Sequence, residues 1–404
     1  MGGSSPMKKG LSLFSLFLTC SLLLTGCGGG QAAPQSPASA NSGSGGQSAS
    51  QTSPPSNNSS DSQTAPIPES EALVPQPEAP PADAISITTK ITELEPGLSA
   101  VRYDGDCGFD GFLEQGGASS DREVVQYLAE NLIWELGLDF LGNIFGCSTI
   151  AVGSPDGGVL FGRNFDWNAC EAMVVESHPE NGYASLSTVN MDFITMGAGG
   201  MMDTALKLDQ VRTLAALYAP LDGMNEKGLA VSVNMIQDNA TINQNTGKPG
   251  ITTTTAVRLL LDKAATVEEA LELLRQYDFH ASMGLMVHLA LADNTGRSVV
   301  VEYIGNEMSV IETSAVTNFY LTPGEKYGIG TSQSHTRYEI LTGLLEEKDT
   351  FTSEDIRDAL SSVSKGNFGE FESTEWSIVF DLTAKTAQYY HRENYENSWL
   401  FALL

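Results

Sequence analysis

Positive charge is scarce in this chain: 21 Lys and Arg face 50 Asp and Glu over 404 residues, a formal net charge of −29. So acidic a surface argues against a grip on nucleic-acid phosphates, and it sets any anionic substrate against a field that local Arg or Lys must offset. Histidine is scarcer still. The five (His178, His280, His288, His335 and His391) show no ligand spacing, so no metal centre is read from them and each is assigned a structural role. Gly28 to Asp83 lacks aromatic residues, Lys and Arg altogether and is dominated by Ser, Gly, Pro, Ala and Gln. It cannot bury enough apolar surface to offset ordering entropy, so it reads as a disordered tether, residues 28–84, whose function is reach.

Long apolar runs are also few. Leu11 to Leu24 is too short, and too interrupted by Ser and Thr, for a membrane-spanning helix. It follows Lys8 and Lys9 and leads into Leu24-Thr25-Gly26-Cys27, the form of a bacterial lipobox, so residues 1–27 read as a lipoprotein signal. Cleavage before Cys27 would leave that residue carrying lipid, with the chain anchored on the extracellular face of the cell membrane. Cysteines number five. With Cys20 leaving with the signal and Cys27 lipidated, Cys107, Cys147 and Cys170 remain, an odd number in an oxidising exterior. Pairing of Cys107 with Cys170 would leave Cys147 as the free thiol; the alternative is that both are unpaired.

What the chain does have is a stretch from Gly146 to Trp167, G-C-S-T-I-A-V-G-S-P-D-G-G-V-L-F-G-R-N-F-D-W. Ser148 to Val152 and Val159 to Phe161 are β-branched or apolar, and Pro155 to Gly158 supplies the turn, so a β-hairpin is predicted. Cys147 opens its first strand while Arg163 and Asp166 close its second, so antiparallel pairing brings thiol, guanidinium and carboxylate together. Gly146 lets the backbone take conformations that a Cβ would forbid, as an attack by the Cys147 thiol on the preceding carbonyl requires. Cleavage there would expose an α-amine with a pKa near ~8, able to act as base for its own thiol.

Other elements follow from spacing. Ile85 to Val101 reads as one or two strands, and Ser120-Asp121-Arg122-Glu123 is a capping box opening a helix to about Leu136. Met173 to Glu176 and Tyr183 to Phe193 contain β-like runs, and Gly223 to Leu229 is a turn feeding the strand Ala230 to Met235. Helices are expected over Thr252 to Ala264 and Thr266 to Tyr277, the second opened by the box Thr266 to Glu269. His288 to Ala292 and Ser298 to Tyr303 form a hairpin about Asp293 to Gly296, Met308 to Glu312 adds a strand, and Glu375 to Asp381 with Thr386 to His391 makes a last hairpin. A helix is predicted from about Thr336 to Leu345. Periodicity alone gives a mixed α/β class.

G-C-S-T at 146–149, G-R-N-F-D-W at 162–167, N-E-K-G-L at 225–229, T-N at 317–318 and Arg337 in S-H-T-R-Y-E-I-L occur in one order. In this the chain resembles the choloylglycine hydrolase family of linear amide C–N hydrolases, with acid ceramidase as a more distant relative, from Cys147 to the C-terminus. The resemblance implies an N-terminal nucleophile (Ntn) hydrolase: an α+β fold of two antiparallel sheets in a four-layer αββα sandwich, with no cofactor. It implies that residues 85–146 are a pro-segment, 147–404 the catalytic domain, and Gly146-Cys147 a site of autoproteolysis. It assigns Cys147 as nucleophile, Asp166 as the acceptor that orients its amine, Arg163 and Arg337 as charge-holding residues, and Asn234 and Asn318 as oxyanion donors. The segment between Asn318 and Arg337 is much shorter than in bile-salt hydrolases, lacking the insertion those enzymes use in tetramer assembly. The implied partner is a small N-acyl amide of the bile-salt, penicillin V, acyl homoserine lactone or N-acyl amine type. Two rival readings are a surface binding lipoprotein on an inactive hydrolase fold, and a papain-like cysteine protease. The second needs the thiol at a helix start, where the β-branched S-T-I-A-V points to a strand.

Overall fold

The computed structural model describes residues 81–132, 146–195, 207–366 and 372–403. All lie in the second of the two units into which the chain divides, Val74–Leu404. The signal, the lipobox and the tether up to residue 80 fall outside the described residues, as does the end of the helix expected to reach Leu136.

The strands are β1 (Thr92–Glu95), β2 (Leu98–Asp104), β3 (Gly146–Gly153), β4 (Val159–Trp167), β5 (Ala172–His178) and β6 (Ser185–Asn190). They continue as β7 (Asp222–Asn225), β8 (Ala230–Met235), β9 (Gly250–Thr252), β10 (Asp278–His280), β11 (Val287–Ala292) and β12 (Ser298–Ile304). The last are β13 (Glu307–Glu312), β14 (Ala315–Val316), β15 (Ser373–Asp381), β16 (Thr386–His391) and β17 (Trp399–Ala402). A nine-stranded sheet has the order β1-β2-β5-β6-β7-β8-β11-β12-β13, and a six-stranded sheet the order β14-β3-β4-β15-β16-β17. Strand alternation sorts the side chains into layers. Phe161, Phe165, Trp376 and Phe380 meet Val174, Leu186, Ala230 and Val300 between the sheets. The neighbours Val299 and Val301 turn outward with Val231 and Leu289, under Leu260 and Leu271 of the helices Thr253–Lys263 and Val267–Leu274. On the far side Ile150, Leu160 and Val379 pack against Leu341, Ile356 and Leu360 of the helices Ser332–Glu347 and Ser353–Ser362. Helix, sheet, sheet, helix is the expected αββα sandwich.

Four expectations change. Residues 85–132 pack as part of the fold: β2 pairs in parallel with β5 from Leu98↔Ala172 to Asp104↔His178, so this segment supplies two strands of the larger sheet, and that sheet is not wholly antiparallel. Its helix, Asp121–Tyr127, passes into a π-helical turn at Leu128–Leu132. Cys107 and Cys170 do not pair; both are buried free thiols, each pushed upward in pKa chiefly by burial, Cys107 to about 11. The second β-like run stops at Asn190, and Phe193 lies in the helix Met191–Thr195.

The segment 85–132 is also stitched down where Gly117, at φ +66, faces Gly250. A Cβ on Gly117 would lie 2.0 Å from the Gly250 oxygen, which accepts the Ala118 N–H at 2.9 Å. Gly117→Ala is therefore expected to cost about 2–4 kcal/mol, from φ strain and overpacking together. Urea unfolding reads this directly, and a loss under 0.5 kcal/mol would contradict the close approach.

Candidate active site

The hairpin forms as expected. β3 and β4 pair antiparallel from Gly146↔Asp166 to Gly153↔Val159, placing Cys147 opposite Phe165 and Thr149 opposite Arg163. Cys147, Thr149 and Ala151 share the inter-sheet face, as do Phe161, Arg163 and Phe165. Cys147 is buried, and burial raises its thiol pKa; the Arg163 guanidinium and the main-chain N–H of Asp166 pull the other way without overcoming it. The sulfur of the uncut chain is thus a protonated thiol in contact with a cation.

Arg163 is fixed from the opposite sheet. Its Nε donates to Asp222 Oδ2 at 3.1 Å, and its Nη1 donates to Asn234 Oδ1 and to the Asn164 carbonyl, both at 3.0 Å. Asp222 Oδ2 also accepts the Trp376 indole N–H at 2.9 Å, and the Trp376 ring stacks on Phe165 with centroids 3.9 Å apart. Trp376 is core, as expected, and it also helps to place the carboxylate that holds Arg163. Asn234, on β8, accepts from Arg163 and from Ser232 Oγ and donates through Nδ2 to Thr149 Oγ1 at 3.0 Å.

The nitrogen of Cys147 donates to Asn318 Oδ1 at 2.9 Å. The same oxygen accepts Arg337 Nη2 at 2.5 Å, and Asn318 Nδ2 donates to the Met235 carbonyl at 2.6 Å. With donors on one side and an acceptor on the other, the Asn318 amide has one favourable orientation, oxygen toward Cys147. Arg337 enters from the helix Ser332–Glu347, which begins a turn earlier than expected because Thr331 caps it by accepting the Ser334 N–H.

In the uncut chain the side-chain partners of Asp166 are Arg337 and Thr374. Three residues after Arg163 on an extended strand, its side chain leaves the opposite face, where Arg337 Nη1 donates to Oδ2 at 2.7 Å and Thr374 Oγ1 to Oδ1 at 2.7 Å. Lys365 Nζ, buried, lies 3.6 Å from Asp166 Oδ2 and 2.7 Å from Glu372 Oε2. The nitrogen of Cys147 is met by Asn318, and Arg337 joins Asn318 to Asp166. All six residues singled out in the sequence thus fall in one buried network, while Asp222, Thr374 and Lys365 are members that no motif announced. No group of three or more His, Cys, Asp or Glu placed to hold a metal occurs among the described residues.

Four layers, with a cysteine opening an inner strand, define the fold class of the Ntn hydrolases. A model of the acyl-coenzyme A:6-aminopenicillanic acid acyl-transferase family matches residues 215–396. A penicillin V acylase of Pectobacterium atrosepticum is 31% identical over 99 residues, 22% of this chain and 26% of that protein, so the chain spans about a quarter of the length of this relative. Among solved structures, a variant conjugated bile acid hydrolase of Clostridium perfringens has TM-score 0.47 at 19% identity, covering 64% of this chain and 92% of its own. A penicillin V acylase of Agrobacterium tumefaciens has TM-score 0.43 at 19% identity, covering 61% and 83%. The likeness to the choloylglycine hydrolase and penicillin acylase group, carried in the sequence by five short motifs, is borne out by the sequence matches.

Proposed function

We propose that this chain is a hydrolase of linear, non-peptide carbon–nitrogen amide bonds, activated by its own scission between Gly146 and Cys147. The observation that carries the reading is a single residue held at both its reactive atoms: the Cys147 nitrogen on Asn318 Oδ1, its sulfur against Arg163. Scission frees that nitrogen as an α-amine, which takes the thiol proton as the sulfur attacks the substrate carbonyl and returns it to the departing amine. Arg163, anchored by Asp222, favours the thiolate. Asn234 and Asn318 each keep one amide hydrogen beyond their present bonds, and these meet the developing oxyanion, an interaction worth about 3–4 kcal/mol when preorganised. Water then releases the acyl group.

The substrate's acyl side is apolar. A cavity lined by Val124, Val125, Leu128, Phe193, Leu285 and Val287 shares Phe193 and Leu285 with the cluster that contains Cys147. Penicillin V, the substrate of the similar acylase, suits the same pattern. The signal and lipobox supply the location in this reading, a lipid on Cys27 holding the enzyme outside the cell, and Cys27→Ser should release it from the membrane fraction.

The test is a hydrolysis panel of conjugated bile salts, phenoxyacetyl β-lactams, N-acyl homoserine lactones and fatty N-acyl amines, run beside N-terminal sequencing. The expected outcome is a new terminus at Cys147 and turnover of at least one class. Cys147→Ala should show neither. Turnover by a chain whose Gly146–Cys147 bond is intact would overturn the proposal.

A further inference from the structure

Asn318 is bracketed by a buried pair to which the chemistry above gives no part. His288 on β11 and Glu302 on β12 are 1% and 0% exposed. His288 Nε2 lies 2.8 Å from the carbonyl oxygen of Thr317, the residue before Asn318, and its Nδ1 lies 3.2 Å from Glu302 Oε1. Glu302 in turn accepts the main-chain N–H of Leu321 at 2.8 Å and of Thr322 at 2.9 Å. One ring and one carboxylate therefore grip the chain on both sides of Asn318.

Protonation follows from who can donate. A carbonyl oxygen cannot, so Nε2 carries a hydrogen. Burial alone would raise the Glu302 pKa, but the bond from His288 and those from Thr322 and Leu321 outweigh it and hold the group below the ordinary carboxylate range. Glu302 already accepts two main-chain N–H groups and is the acceptor toward the ring as well, so Nδ1 carries a hydrogen too.

We infer that His288 and Glu302 form a charged clamp, imidazolium on carboxylate, that positions Asn318 for Cys147, so that activity requires the ring to keep both protons. The inference rests on the reading of Asn318 given under the proposed function. The surrounding elements present few rivals for that charge. β8 places the neutral Asn234 opposite His288, and the gripped segment itself carries Tyr320, whose hydroxyl donates to Asp238 at 3.0 Å, with Lys326 paired to that carboxylate. Burial raises Tyr320, so it stays neutral. Losing one ring proton turns a lone pair toward either Thr317 or Glu302, and Asn318 is no longer held from both sides. On the acid side the sign is that of a depressed carboxylate: the contribution of Glu302 is present above the ordinary carboxylate pKa and is lost as pH falls through the lowered folded value.

Two measurements on the full chain test this. Nitrogen-15 NMR of the ring, without substrate, should find both nitrogens of His288 protonated at pH 7, the resonance being assigned by its absence in His288→Gln. A neutral tautomer there overturns the clamp whatever the enzyme hydrolyses, and a doubly protonated ring supports it even if no amide in the panel is cut. Glu302→Gln keeps the shape and removes the charge. It should reduce kcat at pH 8 by about tenfold, with KM within twofold. A Glu302→Gln profile that superimposes on wild type, with or without a lower Tm, would mean that the pair is structural and would overturn the inference.

Discussion

Replacing Asp222 by Asn is expected to lower the free energy of unfolding by about 3–5 kcal/mol, the range measured when one partner of a buried ion pair is removed. Arg163 and Asp222 are both wholly buried, and Asp222 is the carboxylate that Arg163 touches, at 3.1 Å. Asparagine fills the same space and still accepts a hydrogen bond, so the loss reports the charge left uncompensated and not a cavity. On the proposed mechanism turnover should fall by about tenfold, because the guanidinium that would favour the Cys147 thiolate loses its anchor. Trp376→Phe is the companion measurement: it removes one indole bond to the same oxygen and should cost about 1 kcal/mol, with little change in turnover. Urea unfolding at pH 7 with kcat/KM on the same samples separates the two. An Asp222→Asn chain within 1 kcal/mol of wild type would mean that something other than this carboxylate carries the Arg163 charge.

The second large effect concerns residues 85–132, the proposed pro-segment. A chain cut at Gly146–Cys147 is expected to run as two bands on a denaturing gel and as one particle by native mass spectrometry. β2 gives up seven paired positions if it leaves β5, and Phe109, Phe112 and Tyr127 leave the cluster they form with Tyr218. Three aromatic side chains of roughly 150–250 Å² each represent on the order of 10–20 kcal/mol of apolar transfer before ordering costs. Expression without residues 81–132 should accordingly give insoluble chain. Recovery of a soluble, monodisperse 147–404 fragment after separation would show that the segment is dispensable.

The core of the site was legible because its residues sit in short motifs on strongly patterned strands. Cys147, Arg163 and Asp166 could be brought together from a hairpin with a clear turn, and the period of two along the paired strands leaves the thiol and the guanidinium on one face. The same period, applied to the odd spacing of Arg163 and Asp166, would have sent the carboxylate to the other face, where Arg337 and Thr374 hold it. Asp222, Lys365 and Glu302 left no trace of this kind. Apolar patterning tells where a strand is buried but not which charged residue from a remote element will be drawn in beside it. The early start of the helix at Ser332 was hidden for a related reason: Ser332 to His335 is polar and shows no helical periodicity, and a Thr331 cap defines the end. The parallel β2–β5 pair is the least legible of all, since nothing local distinguishes a strand that will join a neighbour in parallel.

Gly146 is already a rung of the β3–β4 ladder, opposite Asp166, while its bond to Cys147 is whole. Under the proposed scission, the end created by cutting that bond is born docked, with no search through solution and no annealing of separate pieces. Maturation should then follow simple first-order kinetics, with a half-time indifferent to dilution and to added glycerol, since the slow event is making and breaking covalent bonds in a frame that is complete beforehand.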